Sequence, residues 1–189
     1  PRTPGSGAGR DLMALRTADF AYELPEAAIA QTPVEPRDAA RLLVDRGAGQ
    51  APEDRSVADL PSLVRPGDLL VVNDTRVIPA RLRLAKATGG AVEVLLAERT
   101  GDREWTPGRR VPPGTVLERD GAEVIRVGEA VGDGERSVRL LGDEDPLALV
   151  HRLGTLPLPP YITTTLDDPE RYQTVFARRP GSAAAPTAG

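Results

Sequence analysis

Short apolar runs, each bounded by turn residues, follow one another through the middle of the chain. The first, at residues 69–72 (LLVV), is uninterrupted, which is typical of a buried strand. Apolar and polar residues then roughly alternate over 77–84, and the dipeptides at 89–90 (GG) and 120–121 (DG) are turn signals. This pattern predicts a small antiparallel β-barrel. Its predicted strands are 69–72, 77–84, 91–96, 116–118, 123–127 and 137–141.

The segments outside this barrel have mixed helical and extended patterns. Residues 26–31 and 56–64 predict short helices, and residues 41–45 predict a strand. Residues 145–146 (DP) combine an N-cap with a proline in the first turn. We therefore expect a helix from there to Gly154, a residue type that often ends helices. The fold class predicted is mixed α/β and β.

The change of pattern on each side of the barrel predicts a domain organisation. Residues 68–143 form an inserted β-barrel domain, and residues 13–67 and 144–189 are pieces of a larger α/β domain. The two pieces are short and rich in proline, so the core that they can build is small. We expect the larger domain to be incomplete here, truncated at its C-terminal side. Residues 1–12 predict a disordered extension before Met13, the expected native start.

Composition narrows the class of protein. A hydrophobic content of 40% with 28% charged residues is ordinary for a soluble globular domain, and no apolar run reaches the length of about 18 residues that spans a membrane. The absence of cysteine excludes thiolate chemistry, and a single histidine argues against a histidine metal site. The net charge of −4 argues mildly against a nucleic-acid partner, although arginines cluster at 76–83.

Four stretches occur in a specific order along the chain. The first, 19–43, contains Asp-Phe, Glu-Leu-Pro and Arg-Leu-Leu, and the second, 66–81, is PGDLLVVNDTRVIPAR. The third is PLPPYI at 157–162, and the fourth, 171–189, begins RYQTVFA and ends PGSAAAPTAG. In this order and spacing they resemble the S-adenosylmethionine:tRNA ribosyltransferase-isomerase family of queuosine biosynthesis. The resemblance covers nearly all of residues 17–189. Members of the family are about twice as long, which implies that this chain corresponds to their N-terminal portion.

The resemblance implies a reaction and its partners. The ribosyl part of S-adenosylmethionine, a co-substrate, is transferred to the 7-aminomethyl-7-deazaguanine at the wobble position of a tRNA with a GUN anticodon. The ring is isomerised to give epoxyqueuosine, and adenine and methionine leave. No prosthetic group, metal or membrane is implied, and a cytoplasmic monomer is expected.

One internal departure from the family pattern affects a barrel strand. After Trp105 the family usually carries a few more strand residues before a Pro-Gly-Arg turn. Here Trp105-Thr106 is followed directly by Pro107. The departure puts one barrel strand in doubt.

Polar residues after the first apolar run are candidate ligands, although each also has a structural interpretation. Asn73 or Asp74 is suited to hold ribose hydroxyls, and Arg76 to face a phosphate or the methionine carboxylate as a bidentate donor. Alternatively, the Asn and Asp side chains close a turn through their own backbone. Arg81 either binds the tRNA backbone or pairs with Glu93 across the hairpin.

The later stretches supply the remaining candidates. Tyr161 either stacks on a base or packs in a stiff connector. Arg171 is suited to an anion and Gln173 to a base edge, whereas Tyr172 is equally suited to the core. Small residues at 186–189 predict a loop that lets a ligand approach the main chain. The candidate substrate-binding residues are Asn73, Asp74, Thr75, Arg76, Arg81, Tyr161, Arg171, Tyr172, Gln173, Pro186, Thr187, Ala188 and Gly189.

No catalytic base is assigned from the sequence. His151 is the single histidine of the sequence, but its place late in a short helix predicts a solvent-facing side chain. No pair of tuned carboxylates is evident, although removal of a proton beside the sulfonium requires a base. Two alternatives to the enzyme hypothesis stay open: an RNA-binding β-barrel module, and a related member of the family with a different substrate.

Overall fold

The computed structural model of this protein describes residues 16–107, 112–130 and 136–186. Residues 1–30 and 31–189 are two compact units. The first unit contributes single 3₁₀ turns at Thr17–Phe20 and Glu26–Ala28. The second contains the strands β1 (Arg41–Val44), β2 (Glu53–Ser56), β3 (Thr75–Val77), β4 (Arg81–Lys86), β5 (Ala91–Arg99), β6 (Glu104–Pro107), β7 (Val116–Arg119), β8 (Ala122–Ala130), β9 (Arg136–Leu140), β10 (Gly154–Thr155) and β11 (Arg179–Ser182), with helices α1 (Leu60–Leu63) and α2 (Pro146–Leu153).

Six strands close into an antiparallel barrel. The order is β4-β5-β6-β9-β8-β7, and β7 returns to β4 through Ala85 opposite Glu118 and Lys86 opposite Leu117. The barrel therefore lies between Arg81 and Leu140, within the range predicted from the sequence. This finding confirms the small antiparallel barrel, and closure leaves these strands without a free edge.

Alternation along the barrel strands fills the interior with aliphatic side chains. On β4, Leu82 and Leu84 are buried while Arg81 and Arg83 face outward. Trp105 of β6 is fully buried, as a core residue should be. Strand β6 forms at the point of the departure from the family pattern and pairs with β5 and β9. The aliphatic core consists of Ile78, Ala80, Leu82, Leu84, Val94, Leu96, Leu117, Val124, Ile125, Val127, Val138, Leu140, Leu149, Val150 and Leu153.

Helix α2 covers one side of the barrel and leads directly into β10. The Oδ1 of Asp145 accepts a hydrogen bond from the backbone N–H of Ala148 at 2.9 Å, the N-cap that the sequence predicts. At the other end, Gly154 begins β10, which pairs with the start of β4. A Cβ at Gly154 would lie 1.7 Å from the carbonyl oxygen of Pro79, so this close approach requires glycine.

Two short sheets lie outside the barrel. Strands β1 and β2 form an antiparallel hairpin, and β1 confirms the strand predicted at 41–45. Strand β2 occupies the end of a segment whose composition suggests a loop. Strand β3 pairs in parallel with β11, which returns from far along the chain. Among the described residues no helix has the length and apolar content to cross a membrane.

Two predicted elements differ from the structure. Residues 69–72 are not a buried strand: Leu69 is 88% and Val71 80% exposed, and neither belongs to a sheet. The reason is that no described strand pairs with this run, so its apolar side chains have nothing to pack against. The helix predicted at 26–31 is only the 3₁₀ turn Glu26–Ala28, since the backbone of Ile29 is already extended. The extension predicted at 1–12 lies outside the described residues.

Candidate functional site

A cleft of about 690 Å³ opens beside the start of β4, between the barrel wall and the segment that follows β10. Its volume lies in the range typical of small-molecule sites. The segments that line it come from β3, Pro79, β4, the end of α2, β10 and residues 156–173. Its lining residues are Arg76, Val77, Pro79, Arg81, Arg83, His151, Gly154, Thr155, Leu156, Leu158, Ile162, Thr163, Thr164, Thr165, Leu166, Pro169, Glu170 and Gln173.

Gln173 ties one wall of the cleft to β3. It is 6% exposed, its Oε1 accepts a hydrogen bond from the backbone N–H of Val77 at 2.8 Å, and its Nε2 donates to the Val77 carbonyl at 3.0 Å. Its own carbonyl accepts from Nη1 of Arg37 at 2.6 Å. Both amide atoms are thus engaged within the protein, so a contact with a base edge would require them to leave Val77.

Arg76 extends from β3 into the cleft and meets a carboxylate there. Its Nη2 donates to Oε1 of Glu170, which lies in the 3₁₀ turn Pro169–Tyr172. The Arg76 side chain is about one-third exposed, and the Glu170 side chain is 59% exposed. Glu170 is the single carboxylate among the lining residues that the structure describes, so an anionic ligand at Arg76 would compete with it.

Arg81 lies on β4, deeper in the cleft. Its Nη2 donates to the Leu158 carbonyl at 3.0 Å. Its Nε is 3.6 Å from Oε1 of Glu93, beyond hydrogen-bond range, and this buried N–H has no acceptor among the described residues. The ion pair with Glu93 is the structural interpretation that the sequence offers for Arg81. Arg81 also lines the cleft, where a guanidinium can meet an anionic ligand.

Residues 73–75 lie beside the cleft without lining it. The Oδ1 of Asn73 accepts from the backbone N–H of Thr75 at 2.8 Å, which is the self-closed turn offered as the structural interpretation. The Asp74 carbonyl accepts hydrogen bonds from the backbone N–H groups of Arg178, just before β11, and of Arg179, and its carboxylate pairs with Arg179 at 3.2 Å. Thr75 lies opposite Arg179 in the parallel pair. The ribose contacts predicted for Asn73 and Asp74 stay predictions.

The candidates between 161 and 173 divide into exposed and engaged side chains. Tyr161 is 58% exposed, and its carbonyl accepts a hydrogen bond from Gln31. Arg171 donates to the Val34 carbonyl at 2.7 Å and forms an ion pair with Glu35 at 2.8 Å. Tyr172 is partly buried at the end of its 3₁₀ turn. None of these three lines the cleft.

The last candidates are only partly described. Pro186 is half-buried, and the predicted ligand loop continues through Thr187, Ala188 and Gly189, which lie outside the described residues. Before them, the hydroxyl of Ser182 and the carbonyl of Ala184 form a local turn with a 2.6 Å hydrogen bond.

The structure brings to the cleft residues that the sequence does not nominate. Arg83 follows Arg81 on the outer face of β4, and His151 reaches the cleft from the last turn of α2 while staying exposed. Three consecutive threonines, 163–165, add hydroxyls, of which that of Thr163 lies 3.2 Å from Oε1 of Gln31. Spacing on β4 signals Arg83, whereas nothing local signals His151.

Comparison with known families gives one match across almost the whole chain. The family described as "Queuosine biosynthesis protein" matches residues 17–189. The chain is 52% identical to the S-adenosylmethionine:tRNA ribosyltransferase-isomerase of Gloeobacter violaceus, a similarity covering 92% of this chain and 50% of that protein. It is 49% identical to the protein of the same name from Symbiobacterium thermophilum, over 93% of this chain and 53% of the relative.

A solved structure is also similar. It is an S-adenosylmethionine tRNA ribosyltransferase from Thermotoga maritima, 35% identical, with a TM-score of 0.32 over 76% of this chain and 52% of that one. The chain spans about half the length of the curated relatives that it matches.

Proposed function

Because this chain belongs to the queuosine biosynthesis protein family, we propose that it is part of an S-adenosylmethionine:tRNA ribosyltransferase-isomerase. The whole protein moves the ribosyl moiety of S-adenosylmethionine to the 7-aminomethyl-7-deazaguanine at the wobble position of a tRNA with a GUN anticodon. The ring is isomerised to the epoxycyclopentane of epoxyqueuosine, and adenine and methionine are released. The match over residues 17–189 is the observation that carries the proposal.

The cleft supports this function because its size and charge suit the smaller substrate. S-adenosylmethionine carries one carboxylate, and two arginines at the cleft offer planar guanidinium donors that match carboxylate geometry. Arg76 has a carboxylate partner that a ligand can exchange, and Arg81 also lines the cleft. We assign the methionine carboxylate to Arg76, with Arg81 beside it.

We propose that the second substrate, a folded RNA, approaches from the open side of the cleft. Exposed aromatic rings stack on bases in a sequence-tolerant way, and Tyr161 is an exposed ring on the segment that follows the barrel. We propose that Tyr161 and the 186–189 loop contact the nucleotide. The general base stays unassigned, and among the described lining residues Glu170 is held by Arg76.

Adenine release is the measurement that tests the proposal. The 189-residue chain is expected to be inactive alone, because it spans about half the length of its relatives. A chimera that joins it to the remaining portion of the Gloeobacter violaceus relative is expected to release adenine from S-adenosylmethionine in the presence of tRNA carrying the 7-aminomethyl-7-deazaguanine. The same tRNA with guanine at the wobble position is the matched control.

The outcomes separate the alternatives. Release of adenine that requires the deazaguanine base supports the proposal. A folded chimera that binds S-adenosylmethionine but releases no adenine with this tRNA contradicts it and favours a relative with another substrate.

A further inference from the structure

The outer face of β4 presents two arginines to the cleft at neighbouring positions. Strand alternation buries Leu82 and Leu84 inside the barrel and turns Arg81 and Arg83 to the same outer side. Both arginines line the cleft. Arg81 is the more buried of the two, whereas Arg83 is exposed, so Arg83 stands at the outer part of the wall.

The carboxylate nearest to these arginines is engaged by one of them. Glu93 of β5 lies directly opposite Arg83 in the strand register. Its carboxylate nevertheless forms its ion pair with Arg81, at 3.6 Å. Within the described part of the chain, the Arg83 guanidinium has no ion pair and no hydrogen bond. All five of its N–H donors are therefore available to a ligand.

The acidic groups around this end of the cleft are paired with other arginines. His151 lines the cleft from the last turn of α2, and the next residue, Arg152, is occupied by Glu144 at 2.7 Å. The acidic lining residue, Glu170, is bound to Arg76. Among the described lining residues, no carboxylate is left to neutralise Arg83.

We propose that Arg83 contacts a backbone phosphate of the RNA substrate at the mouth of the cleft. The proposal rests on the proposed function, which supplies an RNA as the second substrate. A free, exposed guanidinium matches a phosphate through two parallel hydrogen bonds. The small co-substrate occupies the inner donors of Arg76 and Arg81, whereas an RNA strand has to approach from the solvent side. Such a contact fixes the register of the strand without reading its sequence.

The test is the salt dependence of RNA binding by the 189-residue chain. The probe is an unmodified tRNA transcript, titrated at several salt concentrations, and the readout is the slope of log Kobs against log salt. Arg83→Gln is expected to make the slope shallower by about one, because one phosphate contact and its released counterion are lost. Arg83→Lys keeps the charge and is expected to retain the slope of the unmodified chain.

The matched control is Arg126→Gln. Arg126 is an exposed arginine on β8 of the same barrel, it does not line the cleft, and its side chain has no partner among the described residues. Arg126→Gln changes the net charge by the same amount as Arg83→Gln. Because Arg126 lies outside the cleft, the slope is expected to equal that of the unmodified chain. Equal slopes for the unmodified chain and Arg83→Gln overturn the inference. So do equal changes in both variants, and so does binding that does not depend on salt.

The failure of this inference is distinguishable from failure of the proposed function. Adenine release by the chimera with an unchanged Arg83→Gln slope removes the Arg83 contact alone. No adenine release with an Arg83-dependent slope removes the proposed reaction and keeps the RNA contact.

Discussion

The side-chain amide of Gln173 bonds to both backbone groups of Val77, accepting from its N–H at 2.8 Å and donating to its carbonyl at 3.0 Å. The next residue, Ile78, donates its N–H to Ser182 of β11 at 2.9 Å, so the backbone groups of Val77 point to the opposite edge of β3. Gln173 therefore satisfies the backbone hydrogen-bonding groups at that edge of β3, as a neighbouring strand would. It also holds the turn that carries Glu170 against the strand that carries Arg76.

Gln173→Ala is expected to destabilise the chain by about 1–3 kcal/mol, because the buried N–H and carbonyl of Val77 lose their partners. Urea unfolding followed by circular dichroism measures the change in the free energy of unfolding. Gln50→Ala, at an exposed turn position, is the control and is expected to change this free energy by less than about 0.5 kcal/mol. Equal midpoints for the two variants would show that the Val77 contact adds nothing to stability.

Gly154→Ala is expected to disrupt the junction of α2, β10 and β4. The added Cβ would lie 1.7 Å from the Pro79 carbonyl oxygen and 2.7 Å from that of Val150, and backbone atoms move less readily than side-chain ends. Overpacking of this kind costs about 1–3 kcal/mol or more. The thermal midpoint is the measurement, and Gly90→Ala, whose Cβ would meet only Lys86 at 3.8 Å, is the control. A midpoint for Gly154→Ala as high as that of Gly90→Ala contradicts the close approach.

Arg76→Gln is expected to raise the KM for S-adenosylmethionine by about ten- to a hundredfold in the active chimera. A hydrogen bond to a charged group contributes about 1.5–3 kcal/mol, and each 1.4 kcal/mol is a factor of ten. The steady-state rate of adenine release at varied S-adenosylmethionine concentration gives the value. The control is Arg41→Gln, since Arg41 is 88% exposed and pairs with Asp54 at the surface. If KM is unchanged by Arg76→Gln, the carboxylate is bound elsewhere.

Arg55→Ala is expected to raise the pKa of the Glu53 carboxyl toward its ordinary value of 4.5. The hydrogen bond from Arg55 is the main cause that lowers this pKa, and the hydrogen bond and charge of Arg46 add to it. Because its pKa is lowered in the folded state, the Glu53 carboxylate stabilises the β1–β2 hairpin at pH values above the ordinary pKa of the group. That contribution is lost as the pH falls through the folded-state pKa. Carbon-detected NMR titration of Glu53 in both proteins measures the shift, and identical titration curves would contradict the assigned cause.

The barrel could be predicted from the sequence because its strands and turns are marked by local patterns of residues. Alternation marks β4, and the turn before β8 has Asp120 and Gly121 at positive φ, 53° and 81°, as its residue types suggest. The role of Gln173 could not be predicted, since its partner Val77 lies 96 positions away and no local pattern links them. The position of His151 in the cleft could not be predicted either, because it depends on how α2 and β10 meet β4.

The run at 69–72 shows the limit of an apolar pattern. Its composition predicts a buried strand, but burial depends on a partner strand that the run does not specify. The motif predicts Arg76 and Arg81 as candidate ligands. The alternation on β4 places Arg83 beside Arg81, but that Arg83 lacks an ion pair follows only from the pairing of Glu93 with Arg81.

The uncovered run at 69–72 also has a consequence for how the chain behaves at high concentration. Four consecutive aliphatic residues without a charge, with free backbone groups and strong β propensity, are the kind of segment from which intermolecular cross-β association starts. Self-association of the 189-residue chain is therefore expected to start at these four side chains, because its net charge of −4 is small. A single lysine placed among them acts as a gatekeeper against self-association without touching the barrel.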